Sequence, residues 1–193
     1  MARADLFLPA IRRGIDGPLE MMMREALLSA AIRFCRASLV SRETLQFGAS
    51  PAGASLSLAP AERTLAFSRV LSVTSWQPPD IGSALWPGVD FTVEADQLHL
   101  LCPAAALRVR IATEPVPGTT DIPDALVAYQ EALAAGALMQ LYMMADKPWS
   151  DAQRADYYRL RFVDGYREAF QRSTENVPDE TGFHNPTRRH PFY

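Results

Sequence analysis

Three histidines, two cysteines and a single lysine, Lys147, limit the chemistry open to this 193-residue chain. A nucleophile needs a base within reach, and a zinc site needs closely spaced Cys and His ligands. His99 stands inside an apolar stretch, and the other two histidines lie near the C-terminus. Cys35 and Cys102 are far apart, form no Cys-x-x-Cys pair and have no histidine at ligand spacing. They read as two buried thiols rather than a disulfide. No phosphate-cradling Gly-x-x-x-x-Gly-Lys, dinucleotide fingerprint, Gly-x-Ser-x-Gly or His-Glu-x-x-His occurs. Asp121 and Asp124 flank a proline and read as helix-start carboxylates, not as an acid–base couple. The sequence therefore predicts no catalytic, cofactor-binding or metal-binding residues, and a structural protein rather than an enzyme.

Composition narrows the remaining classes. Hydrophobic residues make up 48% and charged residues 21%, which excludes a disordered, coiled-coil or collagen-like chain. No apolar run approaches the roughly 20 residues that cross a bilayer. The opening Met-Ala-Arg-Ala-Asp-Leu-Phe-Leu-Pro has no apolar h-region and does not read as a signal peptide. A net charge of -3 argues against a general nucleic-acid wrapper while leaving room for a local arginine patch. All other basic residues are arginines. That bias fits a GC-rich coding background, and it also fits interface use, since guanidinium pairs bidentately with carboxylates.

Three helices and a β-unit would have to position whatever this chain presents. Asp16-Gly17-Pro18 starts a helix over about 17–40, with Met23, Leu27, Ala30, Phe34 and Ala37 or Ser38 as its apolar stripe. Met23 reads as core, whereas Met21 and Met22 fit core or surface equally. Loop composition follows Phe47. Alternation then marks strands through Leu65, Phe67, Leu71 and Val73 (interrupted by Arg69), through Val89, Phe91 and Val93, through Leu98-His99-Leu100, and through Leu107, Val109 and Ile111. The last alternates with Arg108 and Arg110. These strands predict an antiparallel β-insertion over about 54–114. Helical spacing returns over about 123–145, where Gly136 within Ala134-Ala135-Gly136-Ala137 costs about 1 kcal/mol against alanine. Close approach of another helix, in the same subunit or a neighbouring one, accounts for it. Ser150-Asp151-Ala152-Gln153 reads as a capping box opening a helix over about 150–173. Its Arg154, Arg161 and Arg167 face outward, either into solvent or toward acidic groups of a neighbouring subunit.

Residues 174–193 have no usable period and four prolines or glycines, so they read as an extended tail. Yet Phe183, His184, Asn185, Arg188, Arg189, His190, Phe192 and Tyr193 fall there. Aromatics and arginines are the residues of interface anchors, which favours docking on a partner over folding back on the same domain.

The layout resembles the head-to-tail adaptor (connector, or neck) proteins of tailed bacteriophages. The resemblance rests on Arg24-Glu25-Ala26 leading to Phe34-Cys35, on Ile122-Pro123-Asp124-Ala125-Leu126, on Tyr129 through Leu138, and on Lys147-Pro148-Trp149-Ser150-Asp151 followed by Ala155, Tyr158, Phe162 and Gly165. It covers about residues 5–172. It implies a mainly-α fold: a three-helix bundle carrying a small antiparallel β-insertion, one adaptor domain over 1–173, and a docking tail over 174–193. It further implies a homo-oligomeric ring, usually of twelve subunits, in the virion neck after assembly in the host cytoplasm. Such a ring joins the portal protein to tail or neck proteins, and genomic duplex DNA passes through it without sequence-specific binding. The tail, through Phe183, His184, Asn185, Arg188, Arg189, Phe192 and Tyr193, would dock on the portal. Arg154, Arg161 and Arg167 would lie at subunit interfaces. The alternatives are another neck or tail-completion component, a packaging accessory that binds DNA, or a small enzyme with an unfamiliar site.

Overall fold

Residues 1–76 and 82–175 are described by a computed structural model, and they divide between helix and strand more evenly than the periodicity predicts. In chain order the elements are β1 (Ala2–Arg3), α1 (Leu8–Arg12), α2 (Glu20–Ser38), β2 (Arg42–Phe47), β3 (Ser55–Ser57), β4 (Leu65–Ser75), β5 (Ser83–Ala84), β6 (Phe91–Glu94), β7 (Gln97–Leu100), β8 (Leu107–Pro115), β9 (Asp121–Ile122), α3 (Gln130–Tyr142) and α4 (Ala152–Glu175). Short 3-10 turns cover Ala4–Leu6 and Asp124–Tyr129. Four helices and nine strands in three antiparallel sheets, among the described residues, make a mixed α/β fold. The expected mainly-α three-helix bundle is thereby corrected. The strands exceed the expected number because β1, β3, β5 and β9 are only two or three residues long and leave no alternation to read. The β-unit also starts at Arg42, ahead of the expected 54, since β2 pairs along its whole length with β8.

Two cores result. Met23, Leu27, Ala30 and Phe34 of α2 pack with Leu133, Ala137 and Leu141 of α3 and with Ala155, Phe162 and Ala169 of α4. The stripe read from α2 is thus the buried one, Met22 packs partly against it, and Met21 is exposed. The stretch predicted as helix over 123–145 opens instead with the 3-10 turn, and α3 proper begins at Gln130. The β core gathers Leu58, Val73, Phe91, Leu98, Leu100, Leu107, Val109 and Ile111 from the four-stranded sheet β2-β8-β4-β5 and the three-stranded sheet β3-β7-β6.

Gly136 lets the helices meet. A Cβ there would stand 2.6 Å from the Phe162 ring of α4 and 2.9 Å from Ala30 of α2. The close approach inferred for this glycine therefore occurs within one chain.

Polar contacts fasten one core to the other. Leu39 ends α2 in the left-handed region at φ 51° and turns the chain into β2. Arg36 donates to both oxygens of the buried Glu114 on β8, at 2.7 and 2.6 Å. Ser41 and Thr113 share a buried hydrogen bond of 2.8 Å. Arg42 donates to Leu39 O at 2.7 Å and to the carbonyl and hydroxyl of Ser173 near the end of α4, at 3.1 and 2.9 Å.

Candidate assembly surfaces

Asp151 fixes the start of α4. Its Oδ1 accepts the backbone N–H groups of Gln153 and Arg154, both at 3.0 Å, so the cap is Asp151 rather than the Ser150 of the expected box. Arg154 then lies 3.4 Å from Asp151, donates to the Tyr142 hydroxyl at 3.1 Å and sits 5.7 Å over the Tyr142 ring. That ring stacks on Tyr158 with centroids 5.7 Å apart, and its hydroxyl donates to Gly14 O. Bonding to the Tyr142 hydroxyl is the main cause that raises the Arg154 pKa above its ordinary value. Two turns on, Arg161 donates to the Tyr157 hydroxyl at 3.1 Å and covers its ring at 5.6 Å. Arg167 is exposed and makes no ion pair with a described residue. So two of the three arginines expected at a subunit interface already have partners within the chain. The i, i+4 spacing of Tyr157 and Arg161 was an available signal, whereas no helical spacing announces the bond of Arg154 to Tyr142.

The tail residues Phe183, His184, Asn185, Arg188, Arg189, Phe192 and Tyr193 lie outside the described residues.

Large apolar side chains remain exposed in several places, among them Leu19 and Met21 at the start of α2, Met143 after α3, and groups on α4 and the β-unit. On α4 they are Tyr157, Leu160 and Phe170. On the β-unit they are Trp76, Trp86, Val89 and Leu101. Trp86, Val89 and Leu101 are tied together by backbone: Val89 and Asp90 N–H donate to Trp86 O, and Leu101 N–H donates to Asp90 O at 2.8 Å. No helix is long and apolar enough to cross a membrane among the described residues.

An open cleft of about 590 Å³ lies between the start of α4 and the loop ahead of α2. Asp16, Gly17, Tyr142, Trp149, Asp151 and Arg154 line it. Gly17 is needed twice over: its φ is +109°, and a Cβ would meet the Trp149 ring at 2.8 Å. Asp151 serves here as a cap, Arg154 bonds to Tyr142 and Tyr142 to Gly14, while the buried Trp149 Nε1 has no hydrogen-bond partner among the described residues. His99 bonds through Nδ1 to Ser55 Oγ at 2.7 Å, across the β3–β7 ladder where the two residues are opposed. No three-residue metal-ligand cluster occurs among the described residues.

Both cysteines are free, Cys35 buried and Cys102 half-buried. Burial, and then the nearby Glu114 carboxylate, push the Cys35 thiol up to about 12. Partial desolvation, with Asp90 beside it, also raises Cys102. Between pH 9.0 and about 12 the folded state holds the Cys35 proton while the unfolded chain releases it. Unfolding therefore gains from rising pH across that window, and Cys35 contributes to a stability loss there. At pH 8 a thiol reagent is expected to label Cys102 first and Cys35 only as fast as the chain unfolds. Equal labelling rates, read by mass spectrometry, would refute this.

No protein-family model and no curated protein matches the chain.

Proposed function

We propose that this chain is a structural protein of the virion neck in a tailed bacteriophage: a head-to-tail adaptor that closes into a ring and joins the portal to the tail. The observation that carries the reading is where the adaptor-like segments fall. The Arg24–Cys35 segment is on α2, Tyr129–Leu138 on the end of the 3-10 turn and α3, and Ala155, Tyr158, Phe162 and Gly165 on α4. Each touches another. Phe34 meets Tyr129 and Phe162 at 5.3 and 6.0 Å, Gly136 faces Phe162 and Ala30, and Gly165 faces Ala132. The quoted segments thus meet in one packing arrangement, which supports reading them as a single pattern.

A closed ring also needs two different surfaces on each subunit, because its interface is head-to-tail. The exposed apolar groups on α4 and on the β-unit, on different elements, are candidates for these two surfaces. The tail, with Arg188 and Arg189 among Phe183, Phe192 and Tyr193, is assigned to portal docking on its composition.

The test uses the purified chain with and without purified portal. Light scattering is expected to show a ring, either alone or on the portal, with co-sedimentation. Monomers under both conditions, with no co-sedimentation, would overturn the proposal. A chain truncated after Glu175 is expected to keep its fold by circular dichroism and lose portal attachment. Attachment as strong as the full chain's would remove the tail from the reading.

A further inference from the structure

The outer face of the four-stranded sheet holds arginines whose charge no described residue answers. The register of β2, β8 and β4 builds three rows across it: Arg42–Ala112–Arg69, Thr44–Arg110–Ser72 and Gln46–Arg108–Thr74. Arg69 and Arg108 are exposed and Arg110 is half-buried. None of these three forms an ion pair with a described residue. Two further groups continue the face. Glu114, beyond Ala112 on β8, is buried and already accepts both bonds of Arg36. Trp76, beyond Thr74 at the other end, is exposed. From the Arg42 row onward, the face therefore presents unpaired arginines first and an indole ring last.

The end of α4 is pinned at the first of these rows. Arg42 donates to the carbonyl and hydroxyl of Ser173 at 3.1 and 2.9 Å, and the Ser173 hydroxyl lies 3.2 Å from Ser38 O. Beyond α4 the sequence runs Asn176-Val177-Pro178-Asp179-Glu180-Thr181-Gly182-Phe183, and both acids of residues 176–193 fall in it. Asp179 and Glu180 come four and five residues after Glu175, a reach of about 14–18 Å. Same-face neighbours along a strand are about 7 Å apart, so the Arg110 and Arg108 rows lie about 7 and 14 Å from the Arg42 row. Phe183 has a reach of about 28 Å, and the level of Trp76 lies at about 21 Å. Two acids followed by an aromatic thus match, in order and spacing, arginines followed by a tryptophan. Arg188 and Arg189 come only after this stretch, and a basic face repels them.

We propose that the segment 179–183 lies across this sheet face of its own chain, with Asp179 and Glu180 against Arg69, Arg108 and Arg110 and with Phe183 toward Trp76. Neighbouring rows are closer than the Debye length of about 10 Å at 0.1 M salt, so the carboxylates meet the summed field of the three guanidinium groups. Each such exposed pair is weak and screened by salt, which keeps the contact reversible. Arg188, Arg189, Phe192 and Tyr193 are left to dock on a portal. The contact itself needs neither ring nor portal, so it stands or falls separately from the proposed function.

The test uses the full chain and the arginine reagent p-hydroxyphenylglyoxal, with modification rates read residue by residue by mass spectrometry. At about 20 mM salt, Arg69 and Arg108 are expected to react at least threefold faster in the double variant Asp179→Asn, Glu180→Gln than in the parent. The exposed Arg63, outside the rows, should react equally in both. The difference is expected to shrink at about 0.5 M salt. Both substitutions lie beyond the packed elements, and circular dichroism checks that the fold is unchanged. Reversing the charges supplies a rescue: Arg108→Glu should release Arg69, and adding Asp179→Arg and Glu180→Arg should protect it again. Gln46→Cys with Thr181→Cys, in a Cys102→Ser background, is expected to form a disulfide within one chain on mild oxidation. Equal rates for Arg69 and Arg108 in parent and double variant would overturn the proposal and return the face to an outside partner. Disulfides formed only between chains would also overturn it, assigning the segment to a neighbouring copy.

Discussion

Phe34→Ala is expected to destabilise the chain by about 3–5 kcal/mol, the range for removing a buried phenyl group. The side chain is 0% exposed and sits where the helices converge. Its ring lies 5.3 Å from Tyr129 and 6.0 Å from Phe162, and its edge is 3.9 Å from where a Cβ on Gly165 would stand. Truncation therefore removes apolar area from water-free contact and leaves a void that three helices would have to close together. Their approach is already limited by Gly136 and Gly165, so collapse is restricted and the cavity contribution stays large. Against a total stability of about 5–15 kcal/mol, the loss is a large fraction. Urea denaturation measures it as a fall in midpoint at unchanged slope. Phe34→Leu keeps most of the volume and is expected to lose less than half as much. A cost below about 1 kcal/mol for Phe34→Ala would mean that the three-helix contact is loose.

Phe34 is legible in the sequence for a physical reason. Its stripe with Met23, Leu27 and Ala30 repeats at helical spacing, and a repeated local signal survives whatever the chain does elsewhere. Leu107, Val109 and Ile111 of β8 were legible for the same reason, since a strand buried on one face must alternate. β2 was not legible. Its inward Leu45 and Phe47 are two residues at an edge strand, and the strand exists because β8, some sixty residues later, supplies its hydrogen bonds. Strands as short as β1 and β9 are wholly of this kind. The surfaces followed the same rule. Arg69, Arg108 and Arg110 were each visible as polar interruptions in apolar strands, but their convergence on one face depends on a register with two bulges. Helical periodicity turns Arg154 and Arg161 outward, and both are on the accessible side of α4. Their bonds to Tyr142 and Tyr157 come from tertiary placement in one case and from a single helical turn in the other.

Gly165→Val is expected to cost about 3 kcal/mol, at the upper end of the overpacking range. A Cβ at Gly165 would run into the Cβ of Ala132 on α3, with its Cα at 3.5 Å. Neither obstacle is the far end of a flexible side chain, so relief requires α3 and α4 to separate. Separation would in turn loosen Phe162 from Gly136, because the same two helices make both contacts. Valine improves on the intrinsic helix propensity of glycine by a few tenths of a kcal/mol, which offsets only a small part of this. A rescue experiment isolates the cause. Ala132→Gly alone is expected to cost about 1 kcal/mol through propensity. Combined with Gly165→Val, it removes the obstructing methyl, so the double variant should be more stable than the two single losses predict, by about 1–2 kcal/mol of coupling. Strict additivity would show that the close approach of α3 to α4 at this point is not what glycine serves. The same displacement would move Tyr157 and Leu160 on the outer side of α4, so under the ring proposal Gly165→Val should weaken assembly, and Ala132→Gly should restore it in proportion to the recovered stability.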